Sequence, residues 1–127
     1  LAWSRGLGDV YKRQVFDLVG KTTVGQMLAV IAGAGLVLAN DSAALHMAVG
    51  FDRPIVGLFG PTRTDLVGPY RQNDAVLQHV TPDDRLDHKD AAAGQQLMDR
   101  IQTSEVLIRI ETLLDRSAEK SSRQPVS

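Results

Sequence analysis

A chain of 127 residues is long enough to bury one core, since domains cluster near ~100–150 residues. With 14 Lys and Arg against 15 Asp and Glu, its bulk charge of −1 offers no general attraction for nucleic acid or an acidic membrane surface. It has no cysteine for a disulfide frame or a thiolate metal site, and no apolar run nears the ~20 residues of a spanning helix.

The first segment is anomalous. "SRGLGDVYKRQ", Ser4 to Gln14, resembles the translation of a transposon-type sequencing adapter, whose back-translation matches these residues without a break. The expectation is a truncated reading frame: residues 1–14 carry no fold, and the natural protein continues upstream. A genuine N-terminal arm is the other reading. Gly6-x-Gly8 lies in the same stretch, and it lacks the third glycine and the preceding strand of a dinucleotide fingerprint. The basic-then-apolar order of a secretory signal is missing too.

From Val15 onward the chain reads as alternating elements. Phe16 to Gly20 is a short segment closed by a glycine. Thr23-Val24-Gly25-Gln26 fits a capping box, in which a hydroxyl and an amide satisfy each other's backbone donors. Met27, Leu28, Val30, Ile31 and Ala34 continue it as an apolar helical face, ended by Gly33 and Gly35. Leu36 to Ala39 is a continuous apolar run, as expected of a strand buried on both faces. Ala43 to Val49 predicts a helix stopped by Gly50, and Ile55 to Phe59 a second buried strand after the Asp52-Arg53-Pro54 turn. Helix, strand, helix, strand with short links is the pattern of a parallel α/β sheet.

Gly60-Pro61-Thr62 and Gly68-Pro69-Tyr70 then predict turns, Ala75 to Val80 a third strand, and Thr81 to Ala93 a charged loop. Ser104 is placed to cap a helix carrying Val106, Leu107, Ile110, Leu113 and Leu114 on one face. The folded domain is expected over residues 15–116, with a disordered tail over 117–127.

The junction Asn40-Asp41-Ser42 lies where ligands of parallel sheets bind, beyond a strand's carboxyl end and before a helix N-terminus. The first amides of that helix lack intrahelical acceptors and carry partial positive charge, which suits phosphate. Small residues at Ser42, Ala43 and Ala44 permit close approach, and His46 shares a face with Ser42. The competing reading is an ordinary N-cap at Asp41 or Ser42. A hydrolase triad of Asp41, Ser42 and His46 is disfavoured, because the G-x-S-x-G elbow is missing. "VGKTT" is not a P-loop, since Val15 stands where its first glycine belongs. His79, Asp83, Asp84, Asp87, His88 and Asp90 lack any metal-ligand spacing, and no metal is expected.

"LVGKTT", "NDSAALHMA" and "LFGPT…GPY" occur in this order between Asp17 and Tyr70. Together they resemble glycosyltransferase family 9, which includes the lipopolysaccharide heptosyltransferases. The resemblance implies a GT-B architecture, two Rossmann-like domains across a cleft. This chain would be part of the C-terminal one, a partial parallel sheet with flanking helices. It also implies that Asp41 binds sugar hydroxyls, that the backbone at Ser42, Ala43 and Ala44 holds a diphosphate, and that His46 supports that pocket. Lys21 and Thr22 would pass the nucleobase, and Gly60, Pro61 and Thr62 would line the cleft near the donor. Two positions depart from the family: Ala43 replaces a glycine, and Arg63 stands where an Asp follows the G-P-T triplet.

The implied reaction is inverting transfer of heptose from ADP-heptose to a lipopolysaccharide-core-type acceptor, without a metal or other cofactor. Its catalytic base would lie in an N-terminal domain, so these residues alone are expected to be inactive. The implied setting is cytoplasmic, at the inner face of the cytoplasmic membrane, with peripheral membrane contact by the whole protein and no nucleic acid partner. Two alternatives stay open: a stand-alone nucleotide- or phosphate-binding module, and a nucleotide-sugar epimerase of GT-B type.

Overall fold

The computed structural model describes residues 15–123, so the adapter-like stretch lies outside the described residues. Thr23 opens α1 (Val24–Gly33): its Oγ1 accepts from the Gln26 N–H at 3.1 Å, while Gln26 Oε1 accepts from the Thr23 N–H at 2.9 Å. The expected capping box is formed. Three strands follow, β1 (Val37–Asn40), β2 (Ile55–Leu58) and β3 (Val76–Leu77), paired parallel in the order β1-β2-β3. Val37 pairs with Ile55 and Gly57 with Val76, which brings the carboxyl ends of all three strands to one edge. Helix α2 (Ala43–Gly50) links β1 to β2.

The core gathers around β2. Ile55 and Phe59 project from one face of its line into a cluster with Leu45 and Ala48 of α2, Ile31 of α1 and Ala75. Leu45, Ala48 and Phe59 are completely buried. Val56 alternates to the opposite face and is also fully buried, and a long terminal helix packs against β2 as well.

Strand β1 departs from the expectation of burial on both faces. Val37 and Ala39 are half-buried, whereas Leu38 is 46 % exposed. The physical reason is layering: α2 covers one face of β1, α1 packs on α2, and among the described residues no helix covers the Leu38 face. Strand β3 is also shorter than the predicted Ala75–Val80 run. Asn73–Ala75 forms a 3-10 turn before it, and beyond Leu77 the polar Gln78 and His79 turn to side-chain work.

Two helices escaped the sequence reading. Short α3 (Thr64–Val67) ends at Gly68, where a Cβ would lie 2.3 Å from the Thr64 carbonyl oxygen. Helix α4 (Ala91–Asp99) begins inside the supposed loop, with Asp90 Oδ1 accepting from the Ala93 N–H at 3.0 Å. The terminal helix α5 (Thr103–Ser122) starts after Gln102 rather than Ser104, because the Glu105 carboxylate reaches back to the Gln102 N–H at 3.2 Å. It continues through Ser117 to Ser122, where a disordered tail was expected. The Ser117 hydroxyl turns back onto the Leu113 carbonyl at 3.0 Å and so joins the helix. Its half-buried face is Val106, Arg109, Ile110, Leu113 and Ser117; Leu107 and Leu114, predicted to share it, are exposed.

Replacing Phe59 by Ala is expected to lower the unfolding free energy by about 3–5 kcal/mol, the range for emptying a sealed aromatic site. Denaturant titration of the variant measures it, and a loss under about 1 kcal/mol would contradict the assignment of Phe59 to the core.

Candidate functional site at the carboxyl edge of the sheet

Each strand delivers one polar side chain to the same edge: Asp41 after β1, Thr62 after β2 and Gln78 after β3. The Thr62 hydroxyl donates to Asp41 Oδ2 at 2.7 Å. The Gln78 amide donates to the carbonyls of Gly60 at 2.8 Å and Thr62 at 2.7 Å, and its oxygen accepts from the Thr64 hydroxyl at 3.2 Å. Gln78 therefore fixes the loop that presents Thr62, and Thr62 fixes Asp41.

This bears on the choice between cap and ligand site. Ser42 is the N-cap residue of α2, yet its side chain makes no capping hydrogen bond, and Asp41 points to Thr62 instead. Among the described residues, the N–H groups of Ala43 and Ala44 have no protein acceptor. Ala43 occupies the first helical position without a positive φ, so the backbone conformation there does not require glycine. His46 Nε2 stands 3.9 Å from Asp41 Oδ1, too far for a hydrogen bond, with its side chain half exposed. No hydrogen bond joins Ser42 to His46 among the described residues, so the geometry of a hydrolase triad is absent there.

Asp41, Pro61, Thr62 and Arg63 line a groove of about 510 Å³. Its far wall is apolar, from Leu66 and Val67 of α3 and Leu86 of the following loop, with His88 beside them. Arg63 is held at the rim by the Asp65 carboxylate at 2.6 Å, which keeps that carboxyl below its usual range. Gly60 is buried beneath the groove: a Cβ there would meet Met98 Cγ at 3.1 Å and the Gly94 carbonyl at 3.2 Å. It acts as the close-approach point of α4. Lys21 and Thr22 are not in this lining; Thr22 borders a separate apolar hollow of about 330 Å³ with Leu18, Val19, Met27 and Val30.

The acidic residues of the 79–90 loop have structural partners. Arg100 grips Asp84 with both terminal nitrogens, at 2.6 and 3.0 Å, and also donates to the His79 carbonyl. The Thr81 N–H adds a 2.7 Å bond to the same carboxylate. His79 contacts Glu105 at 2.7 Å, Asp87 accepts from the Lys89 N–H, and Asp90 caps α4. Among the described residues, no group of three acidic or histidine side chains is arranged to hold a metal ion. These clamps position Leu86 and His88 on the groove.

Sequence reasoning missed Gln78, Arg63, Leu66, Leu86 and His88. Gln78 alone had a usable signal, since it follows a predicted strand on the edge where ligands bind.

A parallel sheet flanked by helices, with its polar loops gathered at the carboxyl edge, is the partial Rossmann-like arrangement of a GT-B domain. Residues 5–94 match the model of Glycosyltransferase family 9 (heptosyltransferase), and the chain belongs to that family. Lipopolysaccharide heptosyltransferase 2 of Salmonella typhimurium is 33% identical over 100 residues, covering 77% of this chain and 28% of that protein. The Escherichia coli protein of the same name matches equally. Lipopolysaccharide heptosyltransferase 1 of Salmonella typhimurium is 30% identical over 77 residues, covering 61% of this chain and 24% of that protein. The chain thus spans little more than a quarter of the curated relatives it matches. No solved structure matches it significantly. Among the described residues, no helix is long and apolar enough to cross a membrane.

Two outcomes are expected. Gln78→Leu strands the Gly60 and Thr62 carbonyls and is expected to cost about 1–3 kcal/mol in denaturant titration; an unchanged midpoint would remove Gln78 from this role. Arg100, with help from the Thr81 N–H, holds the Asp84 carboxyl well below its usual range. Its contribution is therefore complete above the unfolded value of about 3.9 and fades as the pH falls below it. Asp84→Asn should lower Tm at pH 7, with the gap to the parent closing in acid. A gap that stays constant between pH 7 and strong acid contradicts the ionic account.

Proposed function

We propose that this chain is the donor-binding part of an inverting glycosyltransferase that moves heptose from ADP-heptose to a lipopolysaccharide-core-type acceptor. Family membership and the names of the relatives support heptosyl transfer. The observation that carries the site assignment is the arrangement around Asp41: its carboxylate is held by Thr62 rather than spent on capping α2. The amides at the start of α2 are thereby left for a ligand.

In this reading Asp41 accepts hydrogen bonds from sugar hydroxyls, and the Ala43 and Ala44 amides receive the diphosphate, with Ser42 and His46 beside it. The groove by Pro61 and Thr62 takes the sugar end. Lys21 and Thr22 approach the nucleobase from the segment before α1. An acceptor hydroxyl loses its proton to a base and attacks the anomeric carbon from the face opposite the diphosphate. The bond to the diphosphate breaks with inversion, and negative charge grows on the leaving group. Preorganised amides at a helix N-terminus stabilise that charge, so no metal is required for this step. The base and the acceptor site are assigned to the portion of the relatives that these residues do not match. This portion alone is then catalytically silent, and the whole enzyme works at the cytoplasmic face of the membrane.

Asp41→Ala in the full-length protein tests the assignment. ADP-heptose affinity should fall about tenfold or more, as for loss of hydrogen bonds to a charged group, while Tm changes little because Asp41 does not cap α2. Unchanged donor affinity with a lowered Tm would assign Asp41 to loop stitching alone. Equal affinity for ADP and ADP-heptose would favour a nucleotide-binding module, and a converted sugar without acceptor would favour an epimerase.

A further inference from the structure

The opposite end of the sheet carries a second concavity that the donor reading does not use. Two adjoining hollows of about 520 and 620 Å³ share Pro54, Arg71, Gln72, Leu113 and Arg116, and so form one cleft. Its walls are the turn after α2, the segment before β3 and the second half of α5. Arg53, Arg71, Arg109, Arg116 and Lys120 all line it.

Among the described residues, the arginines paired with carboxylates are Arg63 and Arg100, and both lie elsewhere. In the cleft, Arg53 Nε donates to the Phe51 carbonyl at 3.0 Å and Arg109 to the Asp74 carbonyl. Arg71 sits 5.1 Å above the Tyr70 ring. These contacts orient the guanidinium groups without neutralising them. Arg71 and Asp52 are also the two non-glycine described residues with left-handed backbones, φ 58 and 53, and both face this cleft. Such a conformation is unfavourable for ordinary side chains, and here it fixes where the Arg71 side chain leaves the loop.

Opposing charge is present but smaller. Asp52 and Asp74 add two carboxylates, and α2 and α5 end nearby with about half a negative charge each. Against five cations this leaves an excess of about two positive charges in a chain whose overall balance is −1.

We propose that this cleft is an anion site for a phosphate-bearing ligand, separate from the donor site and at the other end of the strands. The forks of Arg71 and Arg116 donate to phosphate oxygens, while Arg53 and Lys120 supply further charge. A phosphate group, with three oxygens and close to two charges, matches several convergent cations better than a single carboxylate does. Its source is either a soluble phosphorylated compound or the headgroup of an anionic lipid.

The test uses the full-length protein with saturating ADP, so that any donor-site occupancy is constant. Inorganic pyrophosphate is titrated by calorimetry, and co-sedimentation is measured with phosphatidylglycerol vesicles against phosphatidylcholine vesicles. Binding of pyrophosphate assigns a soluble ligand, and retention on phosphatidylglycerol vesicles alone assigns a lipid headgroup; either supports the site. Arg71→Gln with Arg116→Gln should weaken that binding at least about tenfold and leave ADP affinity unchanged. Lys120→Gln, on the exposed end of α5, should weaken it in the same direction without disturbing the Arg71 turn. Added salt should weaken it further. Failure of both probes to bind, or binding that these variants leave intact, overturns the proposal. Loss of ADP binding in the parent protein would count against the donor site alone, because the arginine-dependent difference still reads the cleft.

Discussion

The hydrogen bond from the Thr62 hydroxyl to the Asp41 carboxylate ties two strand ends together, and the organisation of the carboxyl edge depends on it. A parallel sheet aligns its strand ends, but it does not by itself decide where the following loops go. Gln78 makes that decision for the β2 loop by gathering two carbonyls and a hydroxyl. Thr62 then makes it for Asp41. Because Asp41 is engaged from outside α2, the start of that helix keeps its unsatisfied donors, and the chemistry proposed for the edge follows from that vacancy in the hydrogen-bond ledger.

The sequence was most legible where one local rule acted alone. Thr23 and Gln26 announce a capping box, and the structure forms it. Leu36 to Ala39 and Ile55 to Phe59 are apolar runs between turn residues, and strands occur at both. Asn40-Asp41-Ser42 was legible as a strand–helix junction for the same reason. Legibility failed where distant contacts decide the outcome. Helix α4 has a low-complexity start, Ala91-Ala92-Ala93-Gly94, which reads as loop until the Asp90 cap and the packing of Leu97 are known. The exposure of Leu38 depends on which helices cover β1, and no run of residues states that. Gln78 looks like an ordinary strand residue; its three partners lie 14 to 18 positions away.

The two ends of the sheet differ in how they attract anions. At the carboxyl edge the attraction comes from peptide dipoles at a helix start, close to a carboxylate that favours a neutral, hydroxyl-rich group beside the phosphate. At the amino edge it comes from whole charges on flexible side chains, set against carbonyl ends of helices. The first kind is short-ranged and selects geometry. The second reaches farther, is weakened by salt and tolerates varied ligands.

The near-contact between Gly60 and the Gly94 backbone has an evolutionary consequence. Two segments more than thirty positions apart share a space with room for no methyl group at Gly60. Neither the groove loop nor α4 can drift freely: a bulkier residue in the loop would lever the helix outward, carrying with it the strap that holds Leu86 and His88. Changes in sugar preference in descendants of this chain should therefore arise by substitution along the apolar wall, while the glycine beneath it stays put.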